Sequence, residues 1–193
     1  MQYPLKFSFK KLALTNKVTV DGLNGATYYF AQQKLFKFKE KIQIYSDENK
    51  TKQIAEINAD RVIDYSPILT ITDPDSKIIA QVSRKGKKSI WNANYEIQDE
   101  LGNSIYKVSE DSPWVKVLNT VLTELPFLGL ISGYLFNPTY SVRNVKNEVV
   151  ATIKKEKSFF EASYILEATS PSELNQAFPM SILVVILRER FRG

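Results

Sequence analysis

The densest group of chemically capable side chains in this sequence is a run of basic residues around one glycine. Arg84, Lys85, Lys87 and Lys88 place four positive charges within residues 84–88. Such a turn can hold a phosphate or lie against an acidic bilayer, with about 1 kcal/mol from each basic residue near the charged surface. Short charge runs are more often plain solvated turns, and that interpretation stays open. These four residues are the predicted anion- or lipid-binding site.

The composition excludes several kinds of catalytic and metal site. The chain has no cysteine and no histidine, so disulfides, thiolate nucleophiles, histidine-based zinc sites and Ser-His-Asp triads cannot form. Asp60, Asp64 and Asp73 could in principle do acid–base work, but their spacing does not pair them, and Asp73 is better explained as a turn former. We therefore predict a protein that is not an enzyme, with no metal and no cofactor.

The charge balance is mildly basic. The chain has 26 basic and 21 acidic residues, a net charge of +5, which favours anionic partners such as lipid head groups or nucleic acid. Nucleic acid is the weaker candidate. Phe36 and Phe38 alternate with Lys37, Lys39 and Lys41 along a predicted strand, so rings and charges face opposite ways and cannot share one binding surface. We expect no nucleic-acid partner.

The first ten residues alternate apolar with polar side chains and lack the apolar block of a secretory signal. We expect a cytoplasmic protein that can associate peripherally with a membrane.

The elements that position the basic residues follow a repeat. Polar turns open at Asp47, Asp73 and Asp99, 26 residues apart, and again at Asn144. Alternating strands follow these turns, at residues 54–57, 79–82, 105–108 and 150–153. Asp and Asn side chains cap such turns, and a unit repeated at this interval indicates a β-hairpin used several times. The pattern predicts an all-β sandwich or barrel.

Two segments interrupt this pattern. At the C-terminus, residues 170–173 match a helix capping box, and residues 180–187 are apolar apart from Ser181. This segment is too short to span a bilayer, so we expect a buried helix. Its β-branched residues would also suit a strand, and we favour the helix. The other segment, residues 114–136, is either the cap of a barrel mouth, which we favour, or a stretch that dips into a membrane interface.

Four stretches of this sequence, residues 84–91, 97–108, 140–144 and 182–187, resemble the tubby C-terminal-like superfamily. The resemblance is closest to its LURP-one-related and phospholipid-scramblase-like branch, and it runs from about Val20 onward. It implies an all-β fold, a closed antiparallel β-barrel of about twelve strands around a buried C-terminal helix. Residues 1–193 would then form a single tubby-like β-barrel domain.

The resemblance also implies a function, because characterised members bind phosphoinositides or associate with membranes. We expect a non-enzymatic module that binds anionic phospholipids or membrane surfaces. The alternative is a soluble scaffold whose partner is an unidentified protein. A lipocalin-like carrier would need an empty lumen, which the helix would fill. Scramblase-like members have cysteine-rich segments that can be acylated, so the lack of cysteine argues against a lipid anchor or scrambling activity.

Overall fold

The computed structural model describes residues 1–12, 15–34, 41–59, 68–84, 94–111, 138–156 and 162–190. Within these ranges, twelve antiparallel strands close into one barrel in which sequence neighbours pair and the first strand pairs with the last. The predicted fold is confirmed. The strands are β1 (Leu5–Leu12), β2 (Thr15–Gly22), β3 (Thr27–Lys34), β4 (Lys41–Tyr45), β5 (Gln53–Ala59), β6 (Leu69–Thr72), β7 (Ile78–Arg84), β8 (Asn94–Gln98), β9 (Ser104–Glu110), β10 (Thr139–Asn144), β11 (Val149–Lys155) and β12 (Ala162–Ala168).

Every strand turns one face into the barrel, because successive side chains of a strand point to opposite sides. In β1, Leu5, Phe7 and Phe9 are buried, whereas Lys6 and Lys10 between and beside them are exposed. The inward residues of all twelve described strands join one hydrophobic core, and residues of the C-terminal helix belong to the same core.

The barrel interior is filled by the helix α1 (Ala177–Arg190). Its residues 177–187 are all buried, on every side of the helix. The polar member of this run, Ser181, donates its hydroxyl to the carbonyl of Ala177 at 3.0 Å, which satisfies the hydroxyl inside an apolar core. Pro179 lies in the first turn, where its missing N–H costs no helical hydrogen bond. The prediction of a buried helix is confirmed.

The start of this helix differs from the prediction. Residues 171–173 form a separate 3-10 turn, and the Ser170 side chain caps nothing. The α-helix begins only at Ala177, so the predicted capping box was wrong. The reason is geometric, because the chain must turn from the end of β12 into the barrel before the helix can begin.

The repeated turns share one set of hydrogen bonds. Asp99 Oδ1 accepts the backbone N–H groups of Leu101 at 2.9 Å and Asn103 at 2.8 Å. Equivalent bonds form around Asp73 and Asn144. In each of these turns, one side-chain oxygen therefore accepts two backbone N–H groups. The predicted role of Asp73 as a turn former is confirmed.

The barrel has two unlike ends. At one end, which we call the turn end, short turns join the strands and the chain enters the helix. The turn end comprises residues 21–27, 45–53, 72–78, 98–104, 144–149 and 168–177. At the other, the loop end, the remaining connections begin and end and α1 finishes. Residues 85–93, between β7 and β8 in the sequence, and the predicted cap or membrane-interface segment 114–136, between β9 and β10, lie outside the described residues.

We expect Leu183→Ala to lower the free energy of unfolding by about 2–5 kcal/mol, because it opens a cavity in a packed core. Leu183 is 1% exposed inside the barrel. Leu101 is 81% exposed at a turn tip, and Leu101→Ala is the matched control, expected to change stability by less than about 0.5 kcal/mol. Urea unfolding measures both. Equal effects would mean that the helix is peripheral.

We expect Asp99→Ala to lower the melting temperature more than Asp99→Asn, because Asn keeps the accepting oxygen, as Asn144 does in its own turn. Hydrogen bonds, first from the Asn103 side chain, hold the pKa of Asp99 below its usual value. The ionised carboxylate thus stabilises the fold above an ordinary Asp pKa of about 3.9. The advantage of wild type over Asp99→Asn should shrink as pH falls below that value. A pH-independent difference in melting temperature would contradict this.

Candidate functional site

Charge is distributed unequally between the turn end and the rest of the chain. The turn end contains nine acidic and four basic residues, so the rest of the chain carries 22 basic and 12 acidic residues. Strand termini at the loop end include Lys41, Arg84 and Lys155, and α1 finishes there with Arg188 and Arg190. An anion would therefore be repelled from the turn end, and we look for a candidate site at the loop end.

The predicted basic site begins at this end. Arg84 is the last residue of β7, partly buried and paired in register with Tyr95 of β8. It is thus part of the sheet, whereas the sequence suggested a loop position. Lys85, Lys87 and Lys88 lie outside the described residues. Because β7 and β8 are antiparallel neighbours, the chain between them connects a hairpin at the loop end, and the four residues stay a predicted site.

The last turn of α1 is anchored to two strands at the loop end. Glu189 accepts a hydrogen bond of 2.6 Å from the Tyr95 hydroxyl of β8 and one of 3.4 Å from the Tyr140 hydroxyl of β10. Burial, followed by the negative charge of Glu189, raises the pKa of Tyr140 far above its usual value. The Tyr140 hydroxyl therefore stays protonated and remains a donor to the carboxylate.

The next residue, Arg190, lies against a different part of the wall, formed by β1 and β12. Its guanidinium carbon is 4.1 Å from the centroid of the Phe9 ring of β1, close enough for a cation–π contact. Phe9 packs edge-on against Tyr164 of β12, with centroids 5.8 Å apart. Burial raises the pKa of Tyr164 to about 12, so its hydroxyl is neutral at physiological pH. Arg190 is thus held by an aromatic pair on two adjacent strands.

Lys155, the last residue of β11, is the second cation in this position. Burial and then the charge of Arg190 lower the pKa of Lys155, and burial lowers that of Arg190. Both shifts mean that burial disfavours the charged forms of Lys155 and Arg190. We name this group, Lys155, Tyr164 and Arg190 with the Phe9 ring, the Arg190 cluster.

The sequence did not single out the Arg190 cluster. Arg190 was visible only as a cation suited to the helix C-terminus, and Lys155 as one lysine of an alternating strand. Their approach depends on α1 running from the turn end to the loop end, which no local pattern reveals. An apolar helix that ends in arginines at a barrel mouth is the available signal.

Other types of site have no support in the described residues. No helix in the ranges given above is long and apolar enough to cross a bilayer. Across the same ranges, no group of three or more Asp or Glu residues is placed to hold a metal ion.

The model of the LURP-one-related family matches residues 27–187. The chain belongs to the LURP-one-related family. The matched region begins with the first residue of β3 and ends with the last buried residue of α1. It therefore leaves out β1 and β2, which close the barrel between β3 and β12. Neither the curated proteins nor the solved structures contain a match to this chain.

We expect Tyr95→Phe to destabilise the protein more than Tyr140→Phe. Each substitution removes one hydroxyl that donates to Glu189, but the bond from Tyr95 is 2.6 Å long and that from Tyr140 is 3.4 Å. Hydrogen bonds to charged groups are worth about 1.5–3 kcal/mol when well formed. Guanidinium chloride unfolding of the two variants measures the difference. A larger loss in Tyr140→Phe would contradict the proposed anchoring of α1.

Proposed function

We propose that this LURP-one-related barrel is a non-enzymatic module that binds anionic phospholipid surfaces through basic residues at its loop end. The single observation that carries the proposal is the difference in charge between the turn end and the rest of the chain. An excess of acidic residues at the turn end and of basic residues elsewhere orients the barrel in the field of a negative bilayer. Similarity to the tubby-like superfamily, whose characterised members work at membranes, supports the same function.

The filled interior directs binding to the outside of the barrel. Eleven consecutive residues of α1 are buried in the lumen, where a carrier protein would hold its ligand. A lipid can then reach only the rim or the outer wall. Of these surfaces, the loop end is where β7 ends at the partly buried Arg84, which precedes Lys85, Lys87 and Lys88 in the sequence.

A protein scaffold is the second candidate, and one observation favours it. Large apolar side chains at three turn tips of the turn end are highly exposed: Leu23 by 75%, Leu101 by 81% and Val145 by 76%. Exposed apolar side chains at one end of a domain suit contact with another protein. The unidentified protein partner of this alternative would therefore bind at the turn end, opposite the proposed lipid site.

Vesicle sedimentation tests the lipid function with two variants of equal net charge. The variant Lys85→Glu/Lys87→Glu/Lys88→Glu reverses charge at the loop end. The matched control, Lys50→Glu/Lys52→Glu/Lys146→Glu, reverses three exposed lysines at the turn end. We expect wild type and the control to sediment with phosphatidylserine vesicles at low salt, and the loop-end variant to remain in the supernatant. Binding should weaken as the Debye length falls from about 10 Å at 0.1 M salt to about 3 Å at 1 M.

Arg84 is left unchanged because it is partly buried at a strand end, where a substitution could impair folding. The control replaces exposed lysines, which contribute little to stability, so it should melt close to wild type. A loop-end variant that melts with the control has kept its fold. Equal loss of binding in the two variants would show a response to net charge and not to a site. If wild type does not sediment with acidic vesicles, the scaffold function replaces the lipid function.

A further inference from the structure

The Arg190 cluster brings two cations together without a described carboxylate to neutralise them. The acidic residues nearest along the neighbouring strands already have partners. Glu156 forms an ion pair of 2.8 Å with Lys6 and accepts the hydroxyl of Ser163. Glu167 forms an ion pair of 2.7 Å with Lys154, which lies beside Lys155 in sequence.

The other described carboxylates at this end are those of Glu110, Asp111 and Glu189. Glu110 and Asp111 pair with the start of β10, and the carboxylate of Glu189 faces away from Arg190. It is bound by the hydroxyls of Tyr95 and Tyr140 on β8 and β10, whereas Arg190 contacts Phe9 on β1. The C-terminal helix dipole adds roughly half a negative charge, which offsets part of one cation. The cluster therefore keeps a net positive charge in a half-buried position.

Arg190 also has an unused donor. Its Nη1 atom is buried and donates to no acceptor in the described part of the chain. A buried polar atom without a partner is unusual in a folded protein, and an ion or water is a common explanation. The guanidinium is held against the Phe9 ring at 4.1 Å, and the N–H edge that carries Nη1 has the geometry for a bidentate contact with an oxyanion.

We propose that the Arg190 cluster is a binding site for a phosphate group, held by the guanidinium of Arg190 and the ammonium of Lys155 with the Tyr164 hydroxyl as a third donor. The chemistry of the donors defines the ligand class as a phosphate monoester or inorganic phosphate, because a dianion matches two cations in one place. Its source is either a soluble anion or a lipid head group. The site does not include residues 84–88 and does not depend on their role.

Thermal denaturation with inorganic phosphate tests the site without any lipid. Phosphate should raise the melting temperature of wild type above that in chloride at equal ionic strength, and the rise should grow with the logarithm of phosphate concentration. Arg190→Gln and Lys155→Gln should each weaken apparent phosphate affinity by about tenfold or more, the usual loss for a charge-assisted hydrogen bond. Arg188→Gln is the matched control, because its side chain leaves the same helix about 200° away.

A purely structural role for Arg190 gives a different result. Arg190→Gln would then lower the melting temperature equally in phosphate and in chloride, and the proposal would be overturned. Lys155→Gln keeps the test valid if Arg190→Gln fails to fold, since it leaves α1 intact. The proposal is also overturned if phosphate stabilises wild type no more than chloride does, or if Arg188→Gln loses as much phosphate affinity as the cluster variants.

Vesicles distinguish the two sources of phosphate. Phosphatidic acid carries a phosphate monoester, whereas phosphatidylserine carries only a diester. If the lipid head group is the ligand, wild type should prefer phosphatidic acid over phosphatidylserine at matched surface charge, and Arg190→Gln should lose that preference. If a soluble anion is the ligand, the phosphate response persists and the vesicle preference is absent. The response to inorganic phosphate is independent of whether Lys85, Lys87 and Lys88 bind membranes, so the two proposals fail separately.

Discussion

The structure depends on the fit between a closed barrel and the apolar helix that fills it. A sheet of twelve strands leaves a lumen too wide for its own side chains to fill, and a helix with no polar side can be buried only if it is surrounded. The helix therefore fills the lumen of the barrel, and the barrel shields the apolar surface of the helix from water. Their lengths agree as well, since α1, with 14 residues, spans about 21 Å and a strand of seven residues spans about 23 Å.

Hydrogen bonds at both barrel ends fix the helix along its axis. At the turn end, the Tyr29 hydroxyl donates to the carbonyl of Gln176 at 3.3 Å, and Tyr106 packs edge-on against Phe178 with centroids 5.0 Å apart. At the loop end, Tyr95 and Tyr140 bind Glu189. Tyrosine suits these positions because its ring extends the core while its hydroxyl reaches the polar rim. The helix direction in turn decides which charged residues emerge at which end.

The fold could be predicted from the sequence because the signals for its turns, strands and helix are local. The Asp73, Asp99 and Asn144 turns each need one side-chain oxygen at one position, and residues 180–187 are apolar whatever surrounds them. Strand pairing then follows from sequence order. The Arg190 cluster is different, since Lys155 and Arg190 meet only through barrel closure and the helix direction. The Ser170 prediction failed for a related reason: a capping box describes a local helix start, but the entry into the lumen is set by the barrel rim.

The filled lumen links the loop end to the stability of the whole barrel. Any ligand that binds the folded protein and not the unfolded chain stabilises the fold by mass action. An anion at Arg190 would act on the last turn of the same helix whose preceding residues form the core. Burial and then repulsion from Arg190 lower the pKa of Lys155, and the anion would relieve that repulsion. Binding at the rim and packing in the lumen are therefore coupled through one helix.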